Sequence, residues 1–167
     1  MTIADFDQLD KEAKILLLRK CCASSAWVKK MLTIFPVQNL VDLLEYAEEE
    51  WYECNPSEWL EAFQNHIRIG DKEKLQKNFE NDDKWPFNEQ SGVFNCSAQV
   101  LDELEKANEL YEETFGYPFI ISATGKSAQE MLDNLLQRLD NDPHDELIIA
   151  AAEQNKITQI RLQKLFS

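Results

Sequence analysis

A side chain suited to proton transfer near neutral pH, the imidazole of His66, stands in the first half of the sequence. It follows Trp59 by seven residues and Phe63 by three, so on a helix the ring would share their apolar face. Histidine can donate or accept a proton near neutral pH, which suits general acid–base catalysis. The alternative is a core histidine whose ring is satisfied by a carbonyl group, and the spacing leaves both interpretations open.

A second candidate is Arg161, which interrupts an apolar stripe near the end of the sequence. Ile157, Arg161 and Leu165 recur at steps of four residues, so they share one helix face. A buried guanidinium without a partner is costly, and the pattern therefore favours a carboxylate partner from the protein or from a substrate. The alternative is that the apolar stem packs while the charged head reaches water.

A third candidate is the polar segment Asn81–Gly92, which is rich in Asn, Asp and Pro and which we predict to be a loop. It also contains two large aromatic residues, Trp85 and Phe87, which a simple spacer would not need. Glu89 and Gln90 lie near its end. Loops on a rigid scaffold often carry functional groups, so we expect this segment to contribute to a site.

The elements that must position these groups are helices. Asn55, Pro56 and Glu58 form a helix start signal, with a side-chain cap, a proline in the first turn and an acid at the third position. Gly70 is the predicted stop, which would put His66 in the last turn of this helix.

Apolar residues at steps of three and four predict helices along most of the sequence. The clearest stripe begins after Pro36 and consists of Val37, Leu40, Leu44, Ala47 and Trp51. Its opposite face is acidic, which is typical of a solvated helix surface. Other predicted helix starts are Asp10, Ser24 or Ser25, Asp71, Ser97, Ser127 and Asp142.

The apolar run Tyr117–Ala123 follows a predicted helix stop at Gly116. A single isolated strand could not satisfy its backbone hydrogen bonds, so we expect a buried extended connection or a short helical turn. The fold class predicted from these patterns is all-α, a compact single-domain bundle of about eight to nine helices over residues 1–167.

The overall charge restricts the partners. The 167 residues contain 31 Asp and Glu against 17 Lys and Arg, for a formal net charge of −14. This balance argues against nucleic acid and against anionic membrane surfaces as partners. An anionic substrate would need a local arginine to hold it. No apolar run is long enough to span a membrane.

The cysteines indicate a reducing compartment. Four are present, at Cys21, Cys22, Cys54 and Cys96, without a CxxC pair, and the sequence has two histidines. We therefore expect neither a disulfide framework nor a zinc site. The N-terminal residues lack the pattern of a secretory signal. The sequence is interpreted as that of a cytoplasmic protein with reduced thiols.

Several short motifs follow one another along the chain. They are His66-Ile67-Arg68-Ile69-Gly70, Glu89-Gln90-Ser91-Gly92, Asn108 and Tyr111 ahead of Phe115-Gly116-Tyr117-Pro118-Phe119, Arg138-Leu139 and Arg161-Leu162. Their order and spacing resemble, over nearly the whole chain, the 2-oxo-4-hydroxy-4-carboxy-5-ureidoimidazoline (OHCU) decarboxylases. These enzymes complete the conversion of urate to allantoin.

The resemblance implies a cofactor-free carboxy-lyase with a compact helical fold, commonly a homodimer, that converts OHCU to (S)-allantoin and CO2. It implies His66 as the catalytic acid and base, Glu89 as its acidic partner and Arg161 as the catalytic arginine. It implies no metal ligands. The substrate contacts that it implies are Ile67, Pro86, Phe87, Asn88, Glu89, Gln90, Phe119, Ile120, Ile121, Ser122 and Ala123.

Two positions depart from the family pattern. Ile67 stands where the family has proline, which would fix the backbone dihedral and remove an amide donor, and Pro86 stands where the family usually has serine. A diverged paralogue with another ureido or imidazole substrate is therefore an alternative. A second alternative is a non-catalytic helical interaction protein whose acidic face, Glu45–Glu53, binds a basic partner.

Overall fold

The computed structural model describes residues 1–81 and 83–167. In these residues the regular structure consists of ten α-helices and one 3-10 helix, without a strand, which confirms the all-α prediction and is close to the predicted count. The helices are α1 (Ile3–Asp7), α2 (Lys11–Cys21), α3 (Ser25–Ile34), α4 (Leu40–Tyr52), α5 (Pro56–Gln64), α6 (Lys72–Glu80), α7 (Trp85–Glu89), α8 (Ala98–Phe115), α9 (Ala128–Arg138) and α10 (Pro143–Leu165). The 3-10 helix, Ser91–Asn95, lies between α7 and α8.

Most helix starts lie where the sequence predicts them, because each is set by a local side-chain cap. Asn55 and Glu58 form a complete capping box at the start of α5, and Pro56 occupies its first turn. Ser127 and Glu130 form the same box on α9. The predicted caps Asp10, Ser24, Asp71 and Ser97 also accept hydrogen bonds from the first turns of their helices.

The predicted stop of α5 at Gly70 is wrong. The helix ends at Gln64, with Asn65 as its C-cap, so His66 lies in a bend beyond the helix and outside its last turn. The segment after His66 leaves the helical conformation because its backbone is hydrogen-bonded by side chains of later elements, described below.

Two further boundaries differ from the prediction. Helix α4 begins at Leu40 with Asn39 as its cap, rather than at Pro36. The predicted loop Asn81–Gly92 contains helix α7, which accepts Pro86 because a first helical turn needs no amide hydrogen there. Asp82 of that loop lies outside the described residues. Residues from Pro143 to Leu165 form one long helix.

The chain divides into two compact units, residues 1–65 with 151–167, and residues 66–150. The first unit has an aromatic core in which Trp27 Nε1 donates to the carbonyl of Ala47 at 3.0 Å and Trp51 Nε1 donates to that of Ala151 at 2.9 Å. The second unit buries the apolar faces of α6, α8 and α9. The assignment of residues 1–167 to one domain stays a prediction.

Within the part of the chain that the structure describes, no helix combines the length and apolarity needed to cross a bilayer. The cysteines of the described residues form no disulfide. Burial raises the pKa of the Cys22 thiol to about 12 and that of Cys54 to about 11, so both thiols are protonated at neutral pH.

Candidate functional site

The segment His66–Gly70 of the second unit is held by the carboxamide of Gln90. Gly70 N–H donates to Gln90 Oε1 at 3.0 Å, and Gln90 Nε2 donates to the carbonyl of Ile67 at 3.1 Å. Gln90 itself is 5% exposed and forms the C-cap of α7. The Gln90 side chain therefore hydrogen-bonds to the backbone on both sides of Arg68.

Helix α8 holds the same segment from a second direction. Asn108 Nδ2, in a side chain that is 1% exposed, donates to the carbonyl of Ile69 at 2.9 Å. Arg68 Nε donates to Glu112 Oε1 at 2.7 Å, and its Nη2 donates to the second carboxylate oxygen. The hydrogen bond to Glu112 raises the pKa of the Arg68 guanidinium. These contacts fix the backbone that follows His66 although Ile67 does not restrict its own φ as a proline at this position would.

The last residue of the segment is Gly70, with φ of 90°, a conformation that glycine adopts without the steric cost of a side chain. His66, at the other end, is half-buried. The structure therefore presents the imidazole at the start of a short, irregular and well-braced segment rather than on a helix face.

Glu89 and its neighbours in α7 differ in burial. The Glu89 side chain is 8% exposed, whereas Asn88 is exposed. The ring of Phe87 packs between those of Phe79 and Phe94, at centroid distances of 4.6 Å and 4.4 Å. The carbonyl of Pro86 accepts the Gln90 N–H at 3.0 Å. The substrate contacts expected at these positions stay predictions.

Gly92, which ends the Glu-Gln-Ser-Gly motif, is in close contact with the connection that precedes α9. A Cβ atom at this position would lie 2.2 Å from the carbonyl oxygen of Lys126 and 3.2 Å from Ser127 Cα. Only glycine allows two backbones to approach so closely. The motif therefore joins α7 and the 3-10 helix to the residues that follow the segment Phe119–Ala123.

The segment Phe119–Ala123 is buried, as the sequence predicts for this apolar run, and it belongs to no helix or strand. Its carbonyl groups are bonded to two basic residues. Arg138 Nη1 donates to Ile120 O at 2.7 Å, Lys126 Nζ donates to Ser122 O at 2.8 Å, and the Lys126 amide donates to Ala123 O at 3.0 Å. These bonds satisfy backbone carbonyl groups that would be paired with a neighbouring strand in a sheet.

A buried polar cluster that the sequence reasoning did not identify lies beside this segment. Glu146, which is fully buried, pairs with Arg138, with 2.6 Å between Arg138 Nη2 and Glu146 Oε1. Arg138 follows Met131 by seven residues and Leu135 by three, so it interrupts an apolar stripe as Arg161 does. That pattern was a signal for a buried charge, and it did not reveal the partner.

Arg161 belongs to the first unit, in the last part of α10. Its side chain is half-buried, and its Nη1 donates to the carbonyl of Lys20 at 3.0 Å. Ile157 and Leu165, on the same face, are buried. The helix face is therefore as the stripe predicts, and the assignment of Arg161 to a substrate stays a prediction.

Comparison with known proteins gives a consistent result. A family model described as OHCU decarboxylase matches residues 7–163. The uric acid degradation bifunctional protein TTL of Arabidopsis thaliana is 41% identical over 151 residues, which is 88% of this chain and 45% of that protein. The bifunctional protein PucL of Bacillus subtilis is 25% identical over 99% of this chain and 33% of its own length. The chain thus spans less than half the length of these two relatives.

Among solved structures, an OHCU decarboxylase crystallised in the presence of (S)-allantoin superimposes with a TM-score of 0.77. It is 38% identical to this chain, and the match covers 89% of this chain and 95% of that one. Sequence and backbone therefore agree over almost the full length of that structure.

Proposed function

The chain belongs to the OHCU decarboxylase family, and we propose that it converts OHCU to (S)-allantoin and CO2 in urate degradation. The observation that carries the proposal is the 38% identity over 95% of a solved OHCU decarboxylase. The braced segment after His66 adds support, because a catalytic acid or base needs a fixed position to transfer a proton efficiently.

The chemistry follows from the substrate. One ring carbon of OHCU carries both a hydroxyl and a carboxylate, and it adjoins a carbon in a C=N bond. When the bond to the carboxylate breaks and CO2 leaves, its electron pair forms a double bond to the neighbouring carbon. The π pair of the C=N bond moves onto the ring nitrogen, which takes up a proton from solvent. The hydroxyl then loses its proton to become a carbonyl, and the neighbouring carbon gains a proton. The protein has to orient the substrate, move protons and select one face.

We assign two of these proton transfers to His66, which takes the hydroxyl proton and returns a proton to the neighbouring carbon. Glu89 is proposed to orient the imidazole and raise its basicity. The support is the clamp described above, since Gln90 follows Glu89, Ile67 follows His66, and the Gln90 Nε2 atom lies 3.1 Å from the Ile67 carbonyl oxygen.

The remaining contacts are proposed from the resemblance. Asn88 is assigned to the ureido group, while Gln90, also a predicted contact, already uses both carboxamide atoms on the backbone. Phe119 and Ile121, both buried, are assigned to the apolar wall that desolvates the departing carboxylate. Arg161 is assigned to the substrate carboxylate, and this role rests on the resemblance alone.

We also propose that the protein acts as a cytoplasmic homodimer without nucleic acid or membrane partners. The net charge of −14 supports the absence of polyanionic partners. Light scattering on a size-exclusion column should give about twice 19.5 kDa. A mass of one chain would contradict the dimer and leave the proposed reaction unaffected.

The test of the reaction is the decay of freshly prepared OHCU in the ultraviolet, with circular dichroism to follow the chirality of the product. Uncatalysed protonation has no facial preference, so the reaction without enzyme gives a racemate. We expect fast decay to one enantiomer. Substitution His66→Ala should slow this decay by roughly a hundred- to ten-thousand-fold.

The matched control is His144→Ala, since His144 is the other histidine and is exposed at the start of α10. It should retain the wild-type rate. Wild-type turnover in His66→Ala would contradict the role of His66. Decay to a racemate at the uncatalysed rate in the unmodified protein would contradict the reaction and favour a paralogue with another substrate or an interaction protein.

A further inference from the structure

We infer that Arg138 and Glu146 are positioning residues that set the affinity for the substrate by holding the Phe119–Ala123 segment in one conformation. The inference rests on the proposed function, which assigns substrate contacts to this segment. Neither residue is proposed to take part in proton transfer. Their effect is expected in KM rather than in kcat.

Glu146 accepts hydrogen bonds from three side chains. Its Oε1 accepts from Tyr111 OH at 2.5 Å and from Arg138 Nε at 2.8 Å. Its Oε2 accepts from Asn141 Nδ2 at 2.9 Å. Three donors from α8, α9 and the α9–α10 connection therefore fix one carboxylate that has no exposed surface.

Arg138 transmits this constraint to the segment at two successive residues. Its Nη1 donates to the carbonyl of Ile120 at 2.7 Å, and its guanidinium carbon lies 4.4 Å from the centroid of the Phe119 ring. The Phe119 ring in turn packs edge-on against Tyr111, with centroids 5.2 Å apart. One planar cation thus fixes both the backbone and an aromatic side chain of the segment.

The desolvation cost of the buried Arg138–Glu146 pair favours a role in positioning over a role in stability alone. A buried ion pair loses much of its Coulombic gain to desolvation, and well-packed apolar residues often stabilise a fold equally well. The segment between α8 and α9, in contrast, has no helical hydrogen bonds of its own. A fork of directional donors can define the position of such a segment, whereas apolar packing alone defines it less sharply.

The expected consequence is a loss of affinity. If the segment contacts the substrate, a displacement of about 1 Å weakens those contacts. The histidine segment is held by other residues, Gln90 and Asn108, and should keep its geometry. We therefore expect KM for OHCU to rise about ten-fold in Arg138→Lys, with kcat within about two-fold of wild type.

The experiment compares Arg138→Lys, Arg138→Met and Tyr111→Phe with the wild type, at a temperature well below the unfolding transition of each. Lysine keeps the charge and loses the fork, so it should retain part of the affinity that methionine loses. Tyr111→Phe removes one hydroxyl donor and should give the mildest effect. The control is Lys106→Gln, which removes an exposed ion pair with Asp102 in α8 and should leave KM unchanged.

Hydrogen exchange, followed by mass spectrometry of the peptide that contains Phe119–Ala123, gives a measurement that does not depend on activity. Exchange there should accelerate in Arg138→Lys and stay unchanged in Lys106→Gln. A variant with lower thermal stability but wild-type KM and wild-type exchange in this peptide would overturn the inference, because the cluster would then be only structural. If the unmodified protein shows no turnover, the proposed function fails, and unchanged exchange would still overturn the positioning role.

Discussion

Two irregular segments of the second unit, His66–Gly70 and Phe119–Ala123, are stabilised by different chemistry. The first is held by two neutral carboxamides and by an Arg68–Glu112 pair whose side chains are 38% and 27% exposed. The second is held by an Arg138–Glu146 pair whose side chains are 9% and 0% exposed. One segment is therefore held by an ion pair that is partly exposed to water, and the other by an ion pair from which water is excluded.

The difference has a chemical reason under the proposed function. The first segment carries the residue proposed to exchange protons, and neutral carboxamides bind the backbone groups of Ile67, Ile69 and Gly70. The second is proposed to contact the substrate through apolar side chains, and the charge of Arg138 is neutralised by Glu146 behind it. Two irregular backbone segments are thus held in place by ion pairs whose disruption should lower the free energy of unfolding by very different amounts.

The sharpest way to break this comparison is to remove the arginine from each pair. Arg138→Met leaves the Glu146 carboxylate buried without its cation and should lower the free energy of unfolding by about 3–5 kcal/mol. Arg68→Met removes a half-exposed pair and should cost about 0–1 kcal/mol. Urea denaturation of both variants measures the two losses. Equal losses would mean that burial does not distinguish the two braces.

A second prediction concerns the contact between the region of the Glu-Gln pair and the connection that follows Ala123. Gly92→Ala places a methyl group against the Lys126 carbonyl and should cost about 1–3 kcal/mol or more, because backbone has to move. Gly125→Ala is the matched variant, with φ of 77° but open space around the new Cβ, and should cost about 1 kcal/mol. Equal unfolding midpoints would contradict the steric role of Gly92.

A third prediction concerns the carboxamide clamp. Gln90→Glu keeps the size of the side chain but loses the donor to the Ile67 carbonyl, and it should cost about 1–2 kcal/mol of stability. Under the proposed function it should lower kcat, because the adjacent His66 loses its fixed position. The kinetic measurement separates this brace from that of Arg138, whose loss should act on KM. A change in KM alone would indicate that Gln90 serves the substrate instead.

The smallest effect is expected from the pH dependence of the buried tyrosine. Burial, and next the hydrogen bond to Glu146, raise the pKa of Tyr111 above its ordinary value of 10. A raised pKa means that the unfolded chain ionises first, so this stability is fully present below about pH 10 and is lost as the pH rises further. The slope is at most about 1.4 kcal/mol per pH unit.

Tyr111→Phe should be less stable than wild type by about 1 kcal/mol at pH 8, since it loses a hydrogen bond. The difference should shrink at pH 10.5, because ionisation of Tyr111 then stabilises the unfolded state of the wild type and not that of the variant. Urea midpoints at the two pH values measure this change. A constant difference for Tyr111→Phe would contradict the buried hydroxyl.

Cys22→Ala tests the first unit by the same comparison of urea midpoints at two pH values, because the pKa of the Cys22 thiol is raised by burial to about 12.

The sequence by itself determined the helical class and most helix starts, because caps and apolar periodicity act within one or two turns. Asn55, Ser97 and Ser127 are caps in the structure as they are in the pattern. The motifs around His66, Glu89 and Arg161 also sufficed for the family, since their order along the chain resembles that of its members. The end of α5 at Gln64 was missed because distant side chains compete for the backbone beyond it.

Only the tertiary structure decided which side chains hold the candidate site together. Gln90 is 23 residues from its partner Ile67, and Tyr111 is 35 residues from Glu146. No local pattern relates such positions, because helix periodicity relates residues three or four apart. The sequence could indicate that Arg138 needs a buried partner. The choice of Glu146, and the attachment of both to Phe119 and Ile120, followed from the packing of α8, α9 and α10.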